Sequence, residues 1–201
     1  MHLKPRQDAR KKVKKALVVG SERISKITDW TDRNTCVIFG DGAGAAVLEP
    51  GDSYIASHIN TEGGDEVINI PTGTNLSPYY KKETKDCRIF MDGQETFKFA
   101  VSTMAGDISR LAEEANVSLG DIKYIVPHQA NVRIIQYASK RLKIPMEKFF
   151  VNIQNYGNTS AASIAIALDE LNRTKGIEKG DLIIMTAFGG GLSSGSCLIK
   201  W

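Results

Sequence analysis

The sequence predicts an α/β layered fold, and three observations carry the prediction. From Glu95 onward, helical apolar periodicity alternates with short apolar runs, the pattern of helices packed on a sheet. Three candidate strands stop at unusual polar or glycine-rich segments: Pro127-His128-Gln129, Asn155–Ser160 and Phe188–Leu192. The composition is that of an ordinary globular chain, with 201 residues, 42% hydrophobic, 24% charged, 18 Gly and 6 Pro. Those figures exclude disordered, collagen-like and disulfide-scaffold proteins, and the length suits one to two domains.

The elements follow in order. Ala16–Gly20 is a short apolar run closed by glycine and reads as a buried strand. Thr35–Phe39 and Ala43–Leu48 read as two strand segments around the tight turn Gly40-Asp41-Gly42. Glu49-Pro50-Gly51 marks a boundary, so residues 1–50 and 51–201 form two parts, with 1–12 as a leader of uncertain role. Tyr54–Asn60 suits another strand, and 60–86, rich in Gly, Pro, Thr and Lys, a long surface loop. Phe97, Val101, Met104, Ile108, Leu111 and Ala115 then recur at three- and four-residue intervals, one face of an amphipathic helix. Tyr124–Val126 is an apolar run stopped by Pro127, and Val132, Ile135, Ala138 and Leu142 define a second helix. Phe149–Ile153 is strand-like. Ala161–Leu171 is a third helical run that Thr159 or Ser160 would cap. Asp181–Ala187 and Ser196–Trp201 are closing strands joined by the turn Gly189–Gly191.

Charge and cysteine usage narrow the function classes. The total charge is +3, but seven Lys or Arg against Asp8 give residues 1–15 a charge of +6, leaving −3 for the rest. A nucleic-acid arm carries such charge, yet no aromatic interleaving or binding motif accompanies it; a solvated segment or a helix end explains it as well. No secretory signal and no apolar run long enough for a membrane span is present, so a cytoplasmic protein is expected. Cys36, Cys87 and Cys197 are widely spaced and form no CxxC pair, which points to neither zinc nor disulfides. None stands at a strand-to-helix elbow, where a helix N-terminus would lower a thiol pKa.

Two residues have settings that suit chemistry. His128 follows an apolar strand and precedes a helix; a neutral imidazole there would donate a hydrogen bond to a developing oxyanion. A core histidine satisfied by backbone groups fits the same spacing. Asn158, between Gly157 and Thr159 at a helix start, has an amide that donates without titrating, although an ordinary turn asparagine looks alike. Gly189-Gly190-Gly191 permits close backbone approach and would present an N–H, or would simply join two strands. Gly40-Asp41-Gly42-Ala43-Gly44 is not a dinucleotide fingerprint, because a strand rather than a helix follows it.

Taken together, ALVVGSE (16–22), TDRNTCVIFGDGAGAAVLEP (31–50), PHQANVRII (127–135), NYGNTSAASIAIALDE (155–170) and GDLIIMTAFGGGLSSGSCLIKW (180–201) resemble the β-ketoacyl-acyl-carrier-protein synthase III family of thiolase-like condensing enzymes. Few other families combine PHQANxRI with GNTSAAS and a terminal AFGGG. The resemblance runs in order from about Lys15 to Trp201 and implies a thiolase-like fold, with residues 51–201 as its C-terminal half and 1–50 as the end of its N-terminal half.

The resemblance implies an acyltransferase that joins acetyl-CoA, or another short acyl-CoA, to malonyl-acyl carrier protein by decarboxylative Claisen condensation, the start of type II fatty-acid synthesis. His128 and Asn158 would be the His and Asn of the family's Cys-His-Asn triad, Gly190 would supply an oxyanion-hole N–H, and Phe188 would wall the site. Gln129, Ala130, Asn131, Val132 and Arg133 match the carrier-binding segment, which Lys140 and Arg141 would extend. Arg33 matches the position that stacks on the CoA adenine. Acyl-CoA and the malonyl carrier are substrates, so neither cofactor nor metal is expected; nor is a nucleic acid or a membrane, whereas the family forms homodimers. The family's nucleophilic cysteine lies upstream of the helix leading into ALVVGSE. The chain is therefore expected to be a fragment lacking it and inactive in condensation. The alternatives are a carrier-binding module without catalysis and a defective truncated product.

Overall fold

The computed structural model describes residues 14–71, 79 and 87–201. Most of the expected basic leader and much of the expected 60–86 loop lie outside the described residues. Strand β1 (Ala16–Glu22) pairs antiparallel with β2 (Gly42–Leu48) as a two-stranded sheet. Strands β3 (Tyr54–Thr61), β6 (Ile122–Pro127), β7 (Leu182–Gly189) and β8 (Ser193–Lys200) build a four-stranded sheet in the order β3-β8-β7-β6. Its β6–β7 pair is parallel and the other two pairs are antiparallel. Two-residue strands β4 (Ile68–Asn69) and β5 (Phe90–Met91) form a small third sheet.

Helices cover both faces of the four-stranded sheet. On one side lie α1 (Gly93–Glu114) and α2 (Val132–Leu142), whose Met104, Ile108, Leu111, Ile135 and Ala138 join Ile125, Ile184 and Leu198 of the strands in the main core. Helix α3 (Ile153–Tyr156) is a single turn, and α4 (Ser163–Lys175) packs Ala167 and Leu171 on Val126 and Ile183 from the other side. The far face of α4 receives β2, so the layers run helices, sheet, helix, sheet. That is the layered α/β architecture expected from the alternation of periods. Asp92 starts α1 by accepting hydrogen bonds from the Gln94 and Glu95 N–H groups at 2.9 and 3.0 Å. Among the described residues, no helix is long and apolar enough to cross a membrane.

Four local expectations are corrected. Ala16–Gly20 is a strand but not a buried one: Leu17, Val18 and Val19 are 53–67% exposed. The glycines of the two-stranded sheet pack closely on the rest of the fold, Gly20 against Ala161, Gly42 against Thr159 and Ile166, and Gly44 against Ala165. Thr35–Ile38 forms a turn rather than a strand. The Asp32 carboxylate accepts from the Asn34 N–H and the Thr35 hydroxyl, both at 2.9 Å, and these local bonds outcompete the apolar run. Phe149 makes only a single bridge to Ile125 before the chain turns into α3. Finally, neither Thr159 nor Ser160 caps α4; a 3-10 turn over Ser160–Ala162 leads into it with no side-chain cap.

Candidate active site

His128 is carried by the end of β6. Its N–H donates to the Thr186 carbonyl at 2.8 Å, extending the β6–β7 ladder by one residue. The chain then leaves the sheet, and the buried Gln129 pins it there. Gln129 Nε2 donates to the Pro127 and Phe150 carbonyls at 2.8 and 3.1 Å, and its Oε1 accepts from the Asn152 N–H at 3.1 Å. Every polar atom of that side chain is committed inside the fold. Gln129 therefore supports the His128 turn, with its side chain turned into the fold rather than toward the exposed side of the segment it begins.

Asn158 reaches the same place from another layer. Gly157 adopts φ 69°, a left-handed conformation suited to glycine, and turns the chain out of α3. The residues after it pair with the segment preceding β2: Gly40 N–H donates to the Asn158 carbonyl and Asn158 N–H to the Ile38 carbonyl, both at 2.9 Å. A Cβ on Gly40 would collide with the Tyr156 carbonyl, so glycine is required for this approach. The Asn158 side chain is oriented too. Its Oδ1 accepts from the Ser160 N–H at 2.9 Å, which leaves the amide nitrogen as the outward donor.

His128 and Asn158, each 8% exposed, line one cavity of about 760 Å³ together with Phe188, Gly189 and Gly190. The three segments singled out at strand ends thus converge. Phe188 presses on the His128 ring, edge to face, with centroids 5.4 Å apart, and is itself backed by Phe99 of α1 at 6.5 Å. Burial pushes the imidazole down to about 4, so His128 is neutral at pH 7. Its Nδ1 lies 2.6 Å from Ser163 Oγ at the start of α4. Sequence reasoning did not single out Ser163; the GNTSAAS run contains it, but nothing in that run says which serine meets the histidine.

The remaining candidates are spread around this cavity. Ala130 and Asn131 line it, and Asn131 caps α2 by accepting from the Arg133 N–H at 2.9 Å. Val132, Arg133, Lys140 and Arg141 lie on the exposed side of α2. Arg33 is exposed in the turn whose Asp32 and Asn34 border the cavity, but is not itself part of the lining. Cys36, Cys87 and Cys197 are free thiols and none lines the cavity; burial pushes the Cys197 thiol up, away from thiolate formation. The cavity therefore offers two neutral donors, a glycine backbone and an aromatic wall, and can stabilise an anionic oxygen without delivering a proton.

Residues 112–201 match the family described as 3-oxoacyl-[acyl-carrier-protein (ACP)] synthase III C terminal, and residues 6–63 match 3-oxoacyl-[acyl-carrier-protein (ACP)] synthase III. The chain is 46% identical over 192 residues to a beta-ketoacyl-[acyl-carrier-protein] synthase III of Clostridium acetobutylicum, covering 94% of this chain and 59% of that protein. It is 48% identical over 191 residues to the protein of that name from Caldanaerobacter subterraneus, covering 92% and 58%. The crystal structure of 3-oxoacyl-[acyl-carrier-protein] synthase III from Aquifex aeolicus superposes with a TM-score of 0.85 at 42% identity, covering 96% of this chain and 60% of that one. The thiolase-like fold implied by the sequence is the fold these structures share. The chain spans about 59% of the length of the curated relatives it matches.

Proposed function

Because this chain belongs to the 3-oxoacyl-[acyl-carrier-protein] synthase III family, we propose that its cavity is the malonyl half of a decarboxylative condensation site. The single observation that carries this reading is the convergence of two neutral, buried donors, His128 and Asn158, on one cavity. The substrate is a malonyl thioester on an acyl carrier protein. Both donors hydrogen-bond its thioester carbonyl. The bond between Cα and the carboxylate breaks, CO2 leaves, and the electron pair moves onto the carbonyl oxygen as an enolate. A cationic histidine would quench that enolate with its proton; an imidazole held neutral by burial does not. Each such donor is worth about 3–4 kcal/mol, or roughly 10²–10³ in rate.

In the full condensation the enolate carbon attacks an acyl thioester on a cysteine, formed from a short acyl-CoA, and the thiolate leaves. The Gly190 N–H would stabilise the oxyanion of that second carbonyl. None of the three cysteines here lines the cavity, so this chain by itself is expected to decarboxylate and not to condense. With no acyl thioester to attack, the enolate carbon takes a proton from water and becomes the acetyl carrier, so the test is incubation with malonyl-acyl carrier protein, following CO2 and the acetyl carrier. Decarboxylation lost in His128→Ala supports the reading, and a wild-type rate no higher than the uncatalysed one overturns it. Intact mass after acetyl-CoA treatment adds an independent check; a stoichiometric adduct on Cys36, Cys87 or Cys197 would overturn the assignment of the nucleophile.

A second reading, a carrier-binding module without catalysis, is favoured by the exposed Arg133, Lys140 and Arg141 on α2. Those cations suit an acidic carrier and its phosphopantetheine arm. Carrier binding without decarboxylation would select it.

A further inference from the structure

Ser163 sits where α4 begins, 2% exposed, and its hydroxyl is shared between two neighbours. Its Oγ is 2.6 Å from His128 Nδ1. It also accepts the backbone N–H of Gln129, a longer bond at 3.4 Å. Serines in a helix often donate back to a carbonyl of the preceding turn. Among the described residues Ser163 makes no such bond, and the Thr159 carbonyl beneath it accepts the Ala162 N–H instead. A hydroxyl oxygen has two lone pairs and one hydrogen, so the direction of the Ser163–His128 bond turns on that hydrogen, and among the described residues Nδ1 is the acceptor within its reach.

That hydrogen favours one order of protons: Gln129 N–H to Ser163 Oγ, then Ser163 O–H to His128 Nδ1. We propose that Ser163 is a positioning residue that locks His128 in the tautomer carrying its proton on Nε2, the nitrogen left to face the cavity. The alternative tautomer would turn a bare lone pair toward the cavity and repel an anionic oxygen. Hydrogen bonding at one ring nitrogen decides the state of the other. The geometry stands by itself, whereas its catalytic consequence rests on the decarboxylation reading above.

Imidazole ¹⁵N NMR of the histidine-labelled protein at pH 7 tests this directly. The chain has three histidines, and the signal missing from His128→Gln identifies the relevant ring. In the unaltered protein His128 should show a protonated Nε2 and a hydrogen-bonded, unprotonated Nδ1. Ser163→Ala should give mixed tautomers or a protonated Nδ1, while Ser163→Thr, which keeps the hydroxyl, should keep Nε2 protonated. A protonated Nδ1 in the unaltered protein overturns the proposal even if no variant folds; so does an unchanged tautomer in folded Ser163→Ala. In the decarboxylation assay Ser163→Ala should lower kcat at least tenfold, to roughly the loss of one oxyanion donor, with KM little changed. A Ser163-dependent tautomer in a protein that decarboxylates nothing would uphold the positioning role and overturn the functional reading.

Discussion

Asn158 turns its amide nitrogen toward the cavity because its side-chain oxygen is already bound to the Ser160 N–H, 2.9 Å away. The donor's orientation is thus set by the backbone of the next turn. Asn158→Asp keeps that acceptor and replaces the donor with a carboxylate beside a developing enolate. Decarboxylation of the malonyl carrier is expected to fall by roughly 10²–10³ while the far-ultraviolet spectrum is unchanged. A variant that retains activity would show that Asn158 does not face the reacting oxygen.

The depressed pKa of His128 has a consequence for folding. An imidazole titrating near 6.5 when unfolded and at about 4 when folded lets the unfolded chain bind the proton first. Its contribution is fully present above pH 6.5 and is lost as pH falls toward 4. By pH 5 the loss is about 2 kcal/mol of the roughly 3 available. Urea unfolding of the protein and of His128→Gln at pH 7.5 and pH 5 should show a smaller acid loss in the variant by about that amount. Parallel losses would contradict it.

Asp107 of α1 behaves in the opposite sense. Its buried carboxyl lies near Ser194 of β8, and burial raises its pKa. The Ser194 hydroxyl and the His58 and Arg110 charges pull the other way without offsetting the burial, and Ser196 Oγ nearby has no hydrogen-bond partner among the described residues. The unfolded chain releases this proton first, so stability falls as pH rises above 3.8 through the higher folded value. Asp107→Asn removes the charge and keeps the shape. Thermal unfolding at pH 7 should move up by about 2–4 °C for each kcal/mol recovered, and the variant should lose the protein's advantage at low pH.

Gln129→Leu should cost about 1–3 kcal/mol in urea unfolding, because the Asn152 N–H and the Pro127 and Phe150 carbonyls lose a buried partner. Carrier affinity should change little by comparison. Arg133→Glu should do the reverse, leaving stability within about 0.5 kcal/mol and weakening carrier binding about tenfold, more at low salt than at high. Binding by isothermal calorimetry at two salt concentrations separates the two. Equal affinities for Arg133→Glu and the unaltered protein would remove α2 as the docking face.

His128 and Asn158 stand out in the sequence because each follows a chain-stopping signal, Pro127 in one case and Gly157 in the other, but that spacing equally suits a core histidine and a turn asparagine, and only the family resemblance chooses between the readings. Helices α1, α2 and α4 were legible from periodicity. Burial was less so. TCVIF has the same apolar signature whether it pairs as a strand or is gathered into a turn by Asp32, and ALVVG the same signature whether covered or bare. Gln129 reads as a surface residue beside Arg133, since nothing local reveals that three backbone groups converge on it. Ser163 was invisible for a related reason: its partner lies 35 residues away and is fixed only when α4 meets β6.

The pairing of Ile38 and Gly40 with Asn158 makes the site a calliper. One jaw, His128, is mounted on the four-stranded sheet; the other, Asn158, is tied by two backbone bonds to the segment that feeds β2. A sliding of the two-stranded sheet by a fraction of an ångström is read out directly as a change in the gap between donors. A side chain at Gly40 would push on the Tyr156 carbonyl and on the bond to Asn158 at once, so it should disturb rate and folding together.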